Sequence, residues 1–301
     1  MATVAALKLH KESSNMSYRI CANDLPAGEL QAKVMLQVSD AFNDIGKKYF
    51  VIGATARDIL AKMLKCVPKR KTADLDITLA ISTWDDFDSV MGALVAHGFR
   101  KDHKVKQRLY YGHEKTEFTL DVVPFGGIAV PESIFSWPGE PDTRLSVIGF
   151  DSALKHTYEI DMDGLFTFAI PTAPALFMLK LVAWNDRSKR LVYKDAVDMD
   201  FLIRSYYLEN STREEFVPIY EKFPDADEYS WGAAMITTDL LQVASQEDLK
   251  ALKSILDNEL ATEEQSKLLQ NCLPENAPDN EFDRIRSGWS NIQRIISEAI
   301  E

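Results

Sequence analysis

The sequence predicts an α+β chain, a mixed-sheet lobe followed by an all-helical lobe. Three observations carry this expectation. Short β-rich runs with a period of two recur between residues 49 and 170, interleaved with helical patterns. From Pro171 onward the apolar residues return at helical spacing. No repeat, heptad run or low-complexity tract interrupts either part. The expected organisation is an amino-terminal extension over 1–26, a mixed α/β domain over 27–170 and a helical domain over 171–301.

The elements follow in order. "ELQAKVMLQVSDAFNDIG" places Leu30, Val34, Leu36, Val38, Ala41 and Phe42 at roughly helical spacing and closes on Gly46, a helix stop. The run "YFVI" reads as a strand, and 54–65 as a helix with Ile59, Leu60, Met63 and Leu64 on its apolar stripe, so Gly53 sits at a strand-to-helix turn. After the basic loop "CVPKRKT", the run "ADLDITLAI" alternates Leu75, Ile77 and Leu79 with Asp74, Asp76 and Thr78, which turns both aspartates to one face. "STWDDFDSVMGALVAHGF" opens on Ser82 or Thr83 as N-cap, carries acids in its first turn and ends at Gly98. "QRLYYGHEKTEFTLDVVPFGG" reads as two strands joined by a polar turn, the second carrying Asp121 and ending at Pro124 and Gly126-Gly127. Further strands are expected at "RLSVIGF", "TYEI" and "LFTFAI", and helices thereafter.

Composition bounds the function. The chain has 301 residues, and no stretch approaches the roughly 18 apolar residues needed to span a bilayer. The opening "MATVAALKLHKESSN" is cut by Lys8 and makes a poor secretory signal, so a cytoplasmic protein with no membrane association is expected. Cys21, Cys66 and Cys272 stand far apart with no C-x-x-C spacing, as free thiols would. Cys66 lies near the glycine turn, but no histidine partner for a nucleophile is identifiable, and the five histidines show no metal-ligand spacing. Of the net charge of −12, residues 201–301 carry −11, with 9 Lys and Arg against 20 Asp and Glu. That segment is a poor clamp for a phosphate backbone. Two basic stretches, "KCVPKRKT" and "RKDHKVKQR", stand instead in the α/β part, as guides for a polyanion or as solvated loops.

The chemistry gathers around Asp74 and Asp76. Two apart on a strand, their Cα atoms lie about 6.5 to 7 Å apart and their side chains share a face. Such a pair can share a cation, because carboxylates are ligands that Mg²⁺ prefers. Asp121, 45 residues after Asp76, sits in another predicted strand, where it would complete a two-metal site. The turn at Gly53 lacks a Cβ, and the helix start that follows offers N–H groups to an anion such as a triphosphate. A dinucleotide-binding domain shares a strand, a glycine turn, a helix and a later acid, but "GATARD" lacks the second and third glycines of G-x-G-x-x-G.

With these motifs the chain resembles the nucleotidyltransferase fold superfamily: a hydrophobic strand, a glycine turn, an acidic-x-acidic strand and a later third acid. "VIGATARDIL" with "TADLDITLA" is similar to the head of tRNA nucleotidyltransferases and poly(A) polymerases. The closer resemblance is to the AbiEii/AbiGii toxin-like nucleotidyltransferases, whose Lys on an apolar helix, Arg and Lys-Asp-x-x-Asp have counterparts in "LFMLKLVAWNDRSKRLVYKDAVDMD". The match covers roughly residues 45 to 205.

The resemblance implies a polymerase beta-like mixed-sheet domain and an NTP-dependent nucleotidyltransferase. It transfers a nucleoside monophosphate to an acceptor, RNA such as tRNA or a protein, and releases pyrophosphate. It further implies Mg²⁺ or Mn²⁺ on Asp74 and Asp76, with Asp121 as ligand or base, and an antitoxin partner. The nucleotide would meet Gly53, Ala54, Thr55, Arg57, Lys180, Lys194 and Asp195, with Asp198 lining or bracing the pocket. Ala54 stands where the family usually has Gly or Ser, which leaves Thr55 to supply a hydroxyl to phosphate. Arg57 either reaches a phosphate or forms a structural ion pair, and Lys180 either meets phosphates or snorkels to the surface. The alternative is a non-catalytic nucleotide-binding module of the same fold, which Ala54 favours.

Overall fold

The protein is described by a computed structural model, covering residues 17–66, 74–113, 117–187, 193–262 and 265–301. Two compact units divide the chain: Met1–Met63, Val67–Val147 and Thr157–Pro171 in the first, and Leu64–Cys66, Ile148–His156 and Thr172–Glu301 in the second.

The first unit is built on an eight-stranded mixed sheet. Its strands are β1 (Tyr18–Ile20), β2 (Phe50–Ile52), β3 (Asp74–Ile81), β4 (Phe99–Lys101), β5 (Arg108–Tyr111), β6 (Phe118–Gly126), β9 (Thr157–Met162) and β10 (Phe166–Pro171), in the spatial order β1-β9-β10-β2-β3-β6-β5-β4. A separate hairpin pairs β7 (Ile134–Trp137) with β8 (Glu140–Ser146). The long neighbours β3 and β6 run parallel, and β2 and β5 flank them antiparallel. Leu75, Ile77 and Leu79 of β3 and Leu120 and Val122 of β6 are buried on one face. The period of two then delivers the alternate, polar positions to the other face.

Three helices of this unit are those the spacing predicts. Helix α1 (Gly28–Asp44) buries Val34, Val38, Ala41 and Phe42, and α2 (Gly53–Met63) follows β2 without an intervening loop. Helix α3 (Trp84–Ala96) begins at Thr83, whose hydroxyl accepts from the Asp86 N–H while the Asp86 carboxylate accepts from the Thr83 N–H, a capping box.

Two expectations are corrected. Residues 18–20 lie in the stretch read as an extension, yet they form β1, paired in parallel with β9 through Tyr18 and Ile160. Three residues are too few for a periodicity to register. The strand expected across "RLSVIGF" ends at Ser146; Gly149 adopts φ +82 and Phe150 opens a short helix, α4 (Phe150–Lys155), with Phe150 and Ala153 buried. Strand β6 passes through Pro124, opposite Leu79, and ends at Gly126, within the stop expected from Pro124 and Gly126-Gly127.

The second unit continues with α5 (Ala173–Arg187), α6 (Lys194–Asn210), α7 (Val217–Lys222), α8 (Glu228–Val243), α9 (Gln246–Leu260), α10 (Lys267–Cys272) and α11 (Glu281–Ile300). Helix α8 packs on both α6 and α11. No helix among the described residues is long and apolar enough to cross a membrane.

Close packing of α6 on α8 depends on Gly232, where a Cβ would lie 2.5 Å from the Ile203 carbonyl oxygen and 3.0 Å from the Tyr207 Cβ. Neither is the far end of a flexible side chain. Gly232→Ala is therefore expected to lower stability by about 1–3 kcal/mol through overpacking, read as a lower urea midpoint at unchanged slope. A midpoint equal to the parent's would show that the helices part at no cost.

Candidate active site

A row of polar residues runs across three neighbouring strands of the mixed sheet, with a glycine turn beside it. At one end, Gly53 follows β2 and opens α2 with φ +67, a backbone conformation that favours glycine. A Cβ built there would fall 2.1 Å from Asp76 Oδ2 and 2.9 Å from Asp76 Cγ. The Asp76 carboxylate thus occupies the volume a side chain at 53 would need. Glycine is required twice, by backbone angle and by space. The carboxylate also lies beside the amino-terminal end of α2, where the helix dipole favours negative charge. The sequence suggested that this turn leaves room for a triphosphate; in the fold it leaves room for the chain's own acid.

Asp76 is the register partner of Ile52 on β2 and of Asp121 on β6, so the two aspartates are direct neighbours across a parallel pair. Asp74, two residues earlier on the same face, stands opposite Thr119 and is exposed. On the far side of Asp121, β5 places Arg108 in register with it. Arg108 donates from Nε to Asp121 Oδ1 at 2.8 Å and from Nη2 to Oδ2 at 2.7 Å, a bidentate fork. These hydrogen bonds raise the Arg108 pKa further above its ordinary value and keep the guanidinium charged.

Sequence reasoning did not single out Arg108 among the cations of "RKDHKVKQR". The usable signal was its place at the start of a strand that hairpins onto the strand of Asp121. Other cations of that stretch have local partners: Arg100 reaches Glu117, and Lys106 reaches Glu140 and the Pro138 carbonyl. Most of the other basic stretch, residues 67–72 within "KCVPKRKT", lies outside the described residues.

The residues after the glycine are turned inward. Ala54 is buried. Thr55 is fully buried, its hydroxyl donating to the Asp74 carbonyl at 3.2 Å and accepting from Gln31 Nε2 at 3.0 Å. It therefore ties α1 and α2 to the start of β3. Arg57 is also buried, and its Nε donates to Asp58 at 2.9 Å. That matches the structural ion pair, one of the two roles the sequence left open for it.

A second cluster forms within the helical unit. Lys180 of α5 is buried, with Nζ 3.2 Å from Asp195 Oδ1 and 2.7 Å from Asp198 Oδ2, both on one face of α6. Arg187 adds a contact of 3.4 Å to Asp195 Oδ2, while its own side chain is 54% exposed. Lys180 does not snorkel. Two almost fully buried carboxylates need a cation, and Lys180 supplies it at the cost of its own hydration. Lys194, at the first position of α6, is exposed.

No group of three or more His, Cys, Asp or Glu among the described residues is arranged to hold a metal ion. The oxygen donors of the acid row are nevertheless of the type that hard divalent cations take, and they stand on one face of adjacent strands. The row can present negative charge to a cation. The exposed cations near Asp195 can meet an anion.

With this geometry in place, comparison with known proteins is informative. The family model described as "Nucleotidyl transferase AbiEii toxin, Type IV TA system" matches residues 39–287. No protein of curated function matches the chain. Among solved structures, a candidate nucleotidyltransferase from H. pylori is 12% identical, with 90% of this chain and 93% of that one covered at a TM-score of 0.34. The CdnE cyclic dinucleotide synthase of Elizabethkingia meningoseptica, solved with GTP and Apcpp, is 11% identical, covering 91% and 93% at a TM-score of 0.28. CdnC of E. coli MS115-1 with ATP is 11% identical, covering 92% and 83% at 0.29.

Two substitutions probe the two clusters. Gly53→Ala strains the backbone and displaces the Asp76 carboxylate, with an expected loss of about 1–3 kcal/mol in chemical denaturation; an unchanged midpoint would show that the turn tolerates a Cβ. Lys180→Met keeps the volume but removes the buried cation from two aspartates. A loss of about 3 kcal/mol is expected at neutral pH, and a neutral effect would mean that Arg187 alone suffices.

Proposed function

The chain belongs to the AbiEii nucleotidyltransferase toxin family, and on that premise we propose that it transfers a nucleoside monophosphate from a nucleoside triphosphate to an acceptor, releasing pyrophosphate. The observation that carries this reading is the placement of Asp76 directly beside Asp121, with Asp76 held against Gly53. That puts one acid at a helix start and a second beside it on the next strand, and a helix start favours an anion such as a triphosphate.

Asp74 and Asp76 are the residues that would hold Mg²⁺ or Mn²⁺, with Asp121 as third ligand or base. Such an ion, when bound, supplies Lewis-acid activation of the attacking hydroxyl and neutralises charge on the phosphoryl oxygens. The chain's own residues supply the rest. Gly53 and Thr55 hold the Asp74-x-Asp76 segment in place, one by yielding volume and one by tethering the Asp74 carbonyl. Asp121, as base, takes the proton of the attacking hydroxyl. Within the helical unit, Lys180 is committed to Asp195 and Asp198 and acts as a brace, which leaves Lys194 and Arg187 as that unit's exposed cations near Asp195.

The acceptor in this reading is an RNA, such as tRNA, or a protein. Within a type IV system the transfer is the toxic activity, and an antitoxin restrains it. The second reading, a module that binds nucleotide without turnover, is favoured by the commitment of the Thr55 hydroxyl to the Asp74 carbonyl and by the burial of Ala54.

Label transfer separates the two. The protein is incubated with each labelled nucleoside triphosphate, Mg²⁺, and total RNA or lysate. Transfer to one macromolecular band, lost in Asp76→Ala, is expected. Nucleotide binding with no label transferred by the parent protein would favour the second reading. Transfer that persists at the parent rate in Asp76→Ala would remove the acid row from the mechanism.

A further inference from the structure

The bidentate contact between Arg108 and Asp121 has no counterpart in the family-based reading of the site. We propose that Arg108 is a resident counter-ion of the acid row: it engages both oxygens of the Asp121 carboxylate and has to leave that carboxylate before Asp121 can serve a divalent cation. The inference rests on the reading of Asp76 and Asp121 as metal ligands.

Three observations support it. First, both carboxylate oxygens of Asp121 are engaged, one by Nε and one by Nη2, at 2.8 and 2.7 Å. A dication on the same carboxylate would face the guanidinium at close range, and like charges repel there even with solvent nearby. Second, Arg108 is placed by strand register, opposite Asp121 on β5, so the contact is built into the sheet. Third, the Arg108 side chain is 36% exposed, whereas that of Asp121 is 18% exposed. The guanidinium is the partner with the greater access to water. The acid stays where the strand puts it.

The two partners therefore have different duties. Arg108 pairs a half-buried carboxylate with a cation that the sheet itself places. It also sets a threshold, because every metal-binding event has to exchange one cation for another. Arg108 is in this sense a positioning residue that tunes metal affinity.

The test is Mn²⁺ binding by the full-length chain, measured as loss of the free-ion paramagnetic resonance signal, without nucleotide or turnover. Arg108→Gln is expected to bind Mn²⁺ about five- to tenfold more tightly than the parent. Arg108→Lys, which keeps the charge but loses the fork, should fall between the two and serves as the second variant if the glutamine form folds poorly. In an Asp121→Asn background, Arg108→Gln should produce no tightening. Unchanged or weaker binding in a folded Arg108→Gln protein would overturn the counter-ion role. If Asp76→Ala and Asp121→Asn both bind Mn²⁺ as the parent does, the metal reading itself fails and this inference falls with it. If those two weaken binding while Arg108→Gln does not tighten it, only the counter-ion role is lost.

Discussion

The Asp76 carboxylate lies in the space where a side chain at position 53 would be, and much of the first unit is arranged to allow it. The glycine has to sit at the end of β2 with a positive φ, so that α2 can start at once and bring its positive end beside the acid. Strand β3 has to pair with β2 so that Asp76 falls opposite Ile52, one residue short of the turn. Thr55 then secures the other end of the segment through the Asp74 carbonyl, and Gln31 of α1 secures Thr55. A close approach at one glycine thereby ties together two strands and two helices.

Several acids withdrawn from water are paired with a cation in the same way. Asp121 is met by Arg108, Asp58 by Arg57, and Asp195 and Asp198 by Lys180. These pairs differ in depth. Arg57 and Lys180 are buried with their partners and act as fixed parts of the fold, because a buried charge left alone is costly. Arg108 is the more exposed partner of a less deeply buried acid, and such a contact can be exchanged. Burial separates Arg57 and Lys180 from the more exposed Arg108.

Much of this was legible in local patterns. The helix over 29–46, the strand, glycine and helix over 49–65, the aspartates of β3 on one face and the capped helix after Thr83 all follow from periodicity and cap chemistry, which act within a few residues. The order of motifs was enough to suggest the family that the match over residues 39–287 shows. Other features were silent. Strand β1 is too short to carry a pattern and pairs with a strand far along the chain, α4 begins at a left-handed glycine inside an apparent β-run, and Arg108 looked like one more cation in a basic stretch.

The sequence by itself determined which residue types stand on which face of each strand and helix, because side-chain direction follows from the backbone period alone. Only the tertiary structure decided which faces meet. Register between strands is set by hydrogen bonding and packing across long sequence separations, and no local spacing states that Asp76, Asp121 and Arg108 fall in one line. The same holds for Gly53: its flexibility was evident from the turn, but the acid that fills the space beside it comes from another strand. For Lys180, an apolar helix with one lysine allows either snorkelling or burial, and the choice belonged to the two aspartates that α6 brings against it.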